Sequence, residues 1–153
     1  MNVEQMIMKN INTKFPKLFV TEIVDNEIIF LPEQDDGFVE YKRTLIDCND
    51  KKNEKYATQM RWRISKNLKN QYAIYYIGID DDGTIVGLSN EEIIECIERF
   101  VIISNLIRAS IIGIQIIHIN KLTIIKIRVK MKKINDNYLV EFEEKNDNIL
   151  CNQ

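Results

Sequence analysis

The residues of this 153-residue chain whose types and spacing could do chemistry are three carboxylates and two groups of cations. Asp35 and Glu40 stand five apart at the head of an alternating apolar segment, and Asp80 opens the run Asp80-Asp81-Asp82-Gly83. Three carboxylates brought together would hold Mg²⁺ or Mn²⁺, which prefer hard oxygen ligands and assist in-line phosphoryl chemistry. The same Asp81-Asp82-Gly83 would equally serve as a solvated turn. Arg61, Arg63, Lys66 and Lys69 fall in one helical stretch around Trp62, which would stack on a base or pack as part of an amphipathic face. Lys126, Arg128, Lys130 and Lys132 alternate along a β-branched segment, so their side chains share a face about 7 Å apart. Such a row suits a phosphate backbone, and it would also suit the solvated side of a half-buried strand.

Other chemistries find little footing. His118 is the single histidine and sits among isoleucines, where a hydrogen-bonded structural role is the ordinary one. Cys48, Cys96 and Cys151 are scattered, with no Cys-x-x-Cys pair, which argues against a zinc knuckle or a disulfide framework and suits a reducing compartment. No Gly-x4-Gly-Lys-Ser/Thr loop occurs, so the chain is not expected to turn over GTP or ATP by itself. The 21 basic and 23 acidic residues nearly cancel, so no bulk basic charge announces a nucleic-acid binder. There are 28 isoleucines, 16 asparagines, and lysine outnumbers arginine 15 to 6, a joint skew typical of AT-rich coding that weakens any single lysine as a functional signal. No apolar span of membrane-crossing length is present, and a cytoplasmic protein is expected.

The elements that must position these residues follow from periodicity. Met1 to Phe15 has helical spacing and ends at Pro16. Leu18 to Phe30 reads as two short strands around Asp25-Asn26, and Phe38 to Ile46 as a strand with Phe38, Glu40 and Lys42 on one face. Lys51 to Asn70 is a helix whose apolar stripe is Tyr56, Ala57, Met60, Ile64 and Leu68. Tyr72 to Ile79 and Thr84 to Leu88 read as a hairpin turning at Asp80–Gly83. Ser89 with Glu92 forms a capping box opening a second long helix. Ser110 to Ile119, Leu122 to Met131 and Tyr138 to Glu143 are strands, and 144–153 is a polar tail. The fold class is α+β: a single domain over 1–143 with a mixed β-sheet and helices packed mainly on one face.

Four segments carry a resemblance. Leu31-Pro32-Glu33 with Gly37–Lys42, then Thr58–Arg63, then Ile77–Ser89 resemble, in order and content, the amino-terminal domain of the elongation-factor-like translational GTPases called GTP-binding proteins 1 and 2, and Ile127–Glu143 resembles the stretch leading into the GTPase domain of that family. The GTPase domain of that family has no counterpart here, so the resemblance implies an accessory role: a non-catalytic module binding RNA (tRNA or rRNA) or a ribosome-associated protein through Arg61, Arg63, Lys126, Arg128 and Lys130. Glu40-Tyr41-Lys42 and Ile77–Asp81 also resemble the AlbA-like domain of Schlafen proteins, some of which are metal-dependent ribonucleases. That likeness implies Asp35, Glu40 and Asp80 as catalytic and metal-holding positions, with Mg²⁺ or Mn²⁺ as the cofactor; Asp35 stands where that group has Glu. Without nuclease activity no cofactor is expected. A protein-interaction domain, as a homodimer or beside a separate GTPase chain, completes the alternatives.

Overall fold

Ile7 and Ile11 recur at helical spacing, and a computed structural model describing residues 3–25 and 28–132 opens with a helix over Val3–Lys14 (α1) that buries both. Strand β1 (Val20–Val24) follows, then β2 (Val39–Lys42) and helix α2 (Asp50–Lys66), whose Asn49 cap accepts from the Lys52 amide. Strand β3 (Tyr72–Ile77), helix α3 (Asn90–Leu106) and strands β4 (Ala109–Ile119) and β5 (Leu122–Met131) complete the described elements. At the head of α3 the capping box forms as expected: the Glu92 amide donates to Ser89 Oγ, and the Ser89 amide donates to the Glu92 carboxylate. Asn120 and Lys121 both adopt positive φ, 46° and 69°, giving the tight hairpin between β4 and β5.

The five strands form one mixed sheet in the order β1-β4-β5-β3-β2. The outer pairs β1/β4 and β2/β3 are parallel, and β5 runs antiparallel to both of its neighbours. All three helices pack on one face, where Ile125, Ile127 and Val129 of β5 meet Ile11, Met60, Ile97 and Phe100. The α+β reading therefore holds, with the helices on one side. The alternate residues of the same strands form the second face, half covered by an apolar cluster of Tyr41, Ile117, Ile119 and Ile124.

Three expectations are corrected. Thr84–Leu88 is not a ladder strand: it makes a single bridge, Ile79 to Ile85, because both edges of β3 are already occupied by β2 and β5. The segment instead folds over the end of β3, where the Gly78 carbonyl accepts from the Val86 and Gly87 amides at 2.8 and 3.0 Å. Ile28–Phe30 does not pair as a second strand either; Ile28 and Phe30 pack onto the second face against the Tyr41 cluster. Gly83 sits against this strap, and any Cβ there would collide with the Phe30 carbonyl. Helix α2 stops at Lys66, because the Asn67 side chain turns the chain by donating to the Tyr72 carbonyl and accepting from the Asn70 amide. Leu68 is thereby left 90% exposed instead of joining the apolar stripe. The expected strand Tyr138–Glu143, the tail 144–153 and Cys151 lie outside the described residues. Among the described residues no helix is long and apolar enough to cross a membrane.

Candidate nucleic-acid interface

Glu40 points toward the helices from β2, because it alternates with Val39 and Tyr41, which occupy the second face. It is 2% exposed, and its carboxylate is fully engaged: Arg63 Nε donates to Oε2 at 2.7 Å and Lys42 Nζ to Oε1 at 3.1 Å. Lys42 also donates to Gln59 Oε1 at 2.8 Å and lies 4.2 Å from the Tyr56 ring centre. Asp35 is exposed on the loop before β2, and Asp80 is half-buried with Arg43 at 3.8 Å. The structure does not bring these three carboxylates to a common point. Among the described residues no group of three or more histidine, cysteine, aspartate or glutamate side chains is placed to hold a metal ion. The expected Asp35–Glu40–Asp80 metal centre is thus corrected: the cation beside Glu40 is a guanidinium.

Arg63 is likewise corrected as an RNA-facing residue. It is 3% exposed, and its guanidinium ties the 33–37 loop to α2 by donating to the carbonyls of Gly37 (2.9 Å) and Gln34 (3.2 Å). Glu33, which the spacing of acids did not single out, completes the clasp 3.8 Å from Arg63 and accepts from the Tyr41 amide at 2.5 Å. Burial pushes the Glu33 carboxyl above its ordinary value of 4.5, reinforced by the nearby charges of Glu40 and Asp81, with the Tyr41 amide and Arg63 opposing. In the pH window just above 4.5 the folded protein therefore keeps a proton on Glu33 that the unfolded chain has released, so this group's contribution to stability falls as pH rises. Glu33→Gln should flatten that part of the stability profile in urea titrations across the window; an unchanged profile would assign the pH dependence elsewhere.

Arg61 is exposed on the outer side of α2, with Trp62 half-exposed beside it and Lys66 4.9 Å from the indole. Because α2 covers the sheet's first face, Arg61 and the β5 row lie on opposite sides of the sheet. The two cationic groups are not one surface.

Lys126, Arg128 and Lys130 do share a face, as their alternation requires, and it is the one opposite the described helices. Across β3 they stand opposite Tyr76, Ile74 and Tyr72, and across β4 opposite Gln115, Gly113 and Ser110. No carboxylate occupies any of these register positions, and among the described residues none of the three cations enters an ion pair. Tyr72 meets Phe38 edge-to-face at 6.0 Å, adding aromatic surface beside Lys130. Lys126 Nζ lies 5.7 Å from the Tyr76 ring centre, and burial, helped by the charge of Arg128, lowers its pKa from 10.5. At the other end the Ile28–Phe30 strap closes the face, with Phe30 stacked edge-on against Tyr41 and Tyr76. Among the described residues, what remains is a half-sheet of cations and aromatic rings without an acid.

His118 bonds to Thr123 Oγ1 at 3.0 Å and to Glu22 at 2.7 Å, a buried structural pairing as its isoleucine surroundings suggested. Burial raises the Cys48 and Cys96 thiols above 9.0, so neither is poised as a nucleophile.

No protein-family model matches the chain. It is 50% identical over 145 residues to the uncharacterized protein R625 of Acanthamoeba polyphaga mimivirus, an alignment covering 94% of this chain and 77% of that protein. It is also 41% identical over 61 residues to GTP-binding protein 2 of Mus musculus and of Homo sapiens, covering 40% of this chain and 10% of each of those proteins.

Proposed function

We propose, from the premise that this chain belongs to the family of the mimivirus protein R625, that it is a non-catalytic RNA-binding module of the cytoplasm working beside the translation apparatus. The partial relation to GTP-binding protein 2 supports the link to translation, and the tenth of that protein which is matched makes an accessory part the natural reading. The likeness to the Schlafen AlbA-like domain belongs to the same proposal, as a kinship of fold. One observation carries it: Lys126, Arg128 and Lys130 stand in a row on a half of the sheet that, among the described residues, holds no acid and no helix, with Tyr72 and Phe38 beside them. Phosphates of an extended strand would lie along the cations while bases meet the rings. A metal-dependent nuclease would need Asp35, Glu40 and Asp80 around one ion, an arrangement the described residues do not make.

Titrating a labelled single-stranded RNA against the protein over a range of NaCl concentrations tests the proposal. Three phosphate contacts predict a log–log slope of about −2, roughly −0.7 per contact on single strands. Lys130→Gln should reduce the slope by one such contact, and Arg61→Gln should leave it unchanged. Failure to bind RNA even at low salt would remove the RNA reading and favour a protein partner, either a second copy or a separate GTPase chain.

A further inference from the structure

Among the described residues the row of Lys126, Arg128 and Lys130 enters no ion pair and has no carboxylate at its register positions, although acids outnumber bases in the chain 23 to 21. The stretch that follows β5 in the sequence is acidic. Residues 133–153, outside the described residues, carry Asp136, Glu141, Glu143, Glu144 and Asp147 against Lys133 and Lys145. Glu141 and Glu143 stand two apart, so an extended chain would repeat its acids about every 7 Å, as β5 repeats its cations. On the helices, by contrast, Lys14, Lys52, Arg63 and Lys66 already have carboxylate partners. Reach and access favour the β5 row. The chain from Lys130 to Glu141 spans up to roughly 36 Å when extended, whereas the row from Lys130 back to Lys126 is about 13 Å long. Both edges of β5 are taken by β3 and β4, so a segment returning toward β5 meets the row only by lying across the face. Ile28 and Phe30 already pack across that face at its other end.

We propose that the acidic segment 138–144 of this chain docks on the Lys126, Arg128 and Lys130 row in the absence of RNA and, resting here on the RNA-binding reading above, that RNA binds by displacing it. Carboxylates and phosphates compete for the same three cations. The tether keeps the acids at a high local concentration, so contacts that would be weak between separate molecules suffice. A mononucleotide offers too few charges to displace a tethered competitor, whereas a phosphate backbone that spans the row releases counterions at every contact. The segment therefore makes the face selective for a polyanion.

The test neutralises two of the acids, Glu141→Gln with Glu143→Gln, in the whole 153-residue chain. Without RNA, the amide NMR signals of Lys126–Lys130 should move between wild type and this variant. Added NaCl should carry the wild-type signals toward the variant's positions as it screens the contact. With a labelled single-stranded RNA of about eight nucleotides, the variant should bind about tenfold more tightly, as expected if the wild type leaves the face open about one-tenth of the time. Glu54→Gln with Glu91→Gln removes two exposed charges from the helices and should change the affinity by less than about twofold. Signals of β5 that stay in place, or equal gains from both pairs of substitutions, overturn the docking and leave the RNA reading standing. Wild-type signals that shift with protein concentration also overturn it, assigning the acids on the row to a second copy. Failure of wild type and the Glu141→Gln, Glu143→Gln variant alike to bind RNA overturns the RNA reading, and the β5 signals then still decide the docking.

Discussion

Replacing Arg63 by alanine should cost about 3–5 kcal/mol of unfolding free energy, the usual consequence of leaving a buried charge without its partner. The carboxylate it would abandon, Glu40, is 2% exposed and keeps only Lys42 as a cation. The loss would extend beyond the ion pair. The Gly37 and Gln34 carbonyls would lose their donors, and the 33–37 loop would come away from α2. Against a typical total of about 5–15 kcal/mol, this single change could leave the domain barely folded. Urea denaturation followed by circular dichroism reads the effect. A loss below about 1 kcal/mol, the scale of an exposed pair, would mean that the clasp does not hold the fold. The double variant Glu40→Gln with Arg63→Met removes both charges and should recover part of the stability, since a buried pair replaced as a unit costs little. Full recovery is not expected, because methionine supplies no donors to the loop carbonyls. Whatever fraction stays folded should bind RNA with the wild-type salt slope, because Arg63 lies on the helix side of the sheet.

The clasp also accounts for much of the resemblance to the GTP-binding proteins. Leu31-Pro32-Glu33, Gly37–Lys42 and Thr58–Arg63 are distant in sequence but meet around Arg63: Glu33, the Gly37 carbonyl and Glu40 ring its guanidinium, Gln59 receives Lys42, and the Tyr41 hydroxyl donates to the Leu31 carbonyl at 2.7 Å. Ile77–Ser89 joins them through the Glu33 amide, which donates to the Asp81 carbonyl at 2.7 Å. These shared segments thus encode a way of holding one loop between a strand and a helix. Arg128 and Lys130 of the exposed cation row fall instead in the later resembling segment, Ile127–Glu143, apart from this clasp.

This also explains what the sequence disclosed and what it concealed. Local signals translated directly: Ser89 with Glu92 made a capping box, Asn120-Lys121 a two-residue hairpin, and strand alternation placed Lys126, Arg128 and Lys130 on a single face. Thr84–Leu88 misled because periodicity reports the shape of a segment and is silent on which sheet edges remain free. Ile28–Phe30 misled for a related reason: its apolar alternation packs onto the face of the sheet, not into its ladder. Arg63 was the costliest misreading, yet a signal existed. It lies three residues after Met60 and next to Ile64, inside the buried stripe of α2, whereas Arg61 lies outside it. Glu40 likewise falls on the inward face of its strand. Two opposite charges assigned to buried faces have to find each other, and that requirement was available before any coordinates.

Reversing the whole row, with Lys126, Arg128 and Lys130 each changed to glutamate, should lower RNA affinity by at least about a hundredfold at moderate salt. Each reversal removes an attraction and adds a repulsion of about 1 kcal/mol at contact distance in water, and three sites together exceed the 2.8 kcal/mol or so that a hundredfold requires. The residual binding should also lose its salt dependence, since no phosphate counterions would be released along the face. Lys126 is half-buried beside Tyr76, so a carboxylate there could disturb packing; the pair Arg128→Glu with Lys130→Glu leaves that contact alone and should still remove most of the slope. Arg61→Glu provides the opposing measurement. Arg61 is exposed on α2 but lies on the far side of the sheet, so its reversal should leave binding within about twofold of wild type, as expected of a charge outside the contact and screened by salt. The reverse pattern, with the β5 triple variant binding normally and Arg61→Glu failing, would move the RNA contact to the helix side beside Trp62 and leave the open half-sheet for another partner.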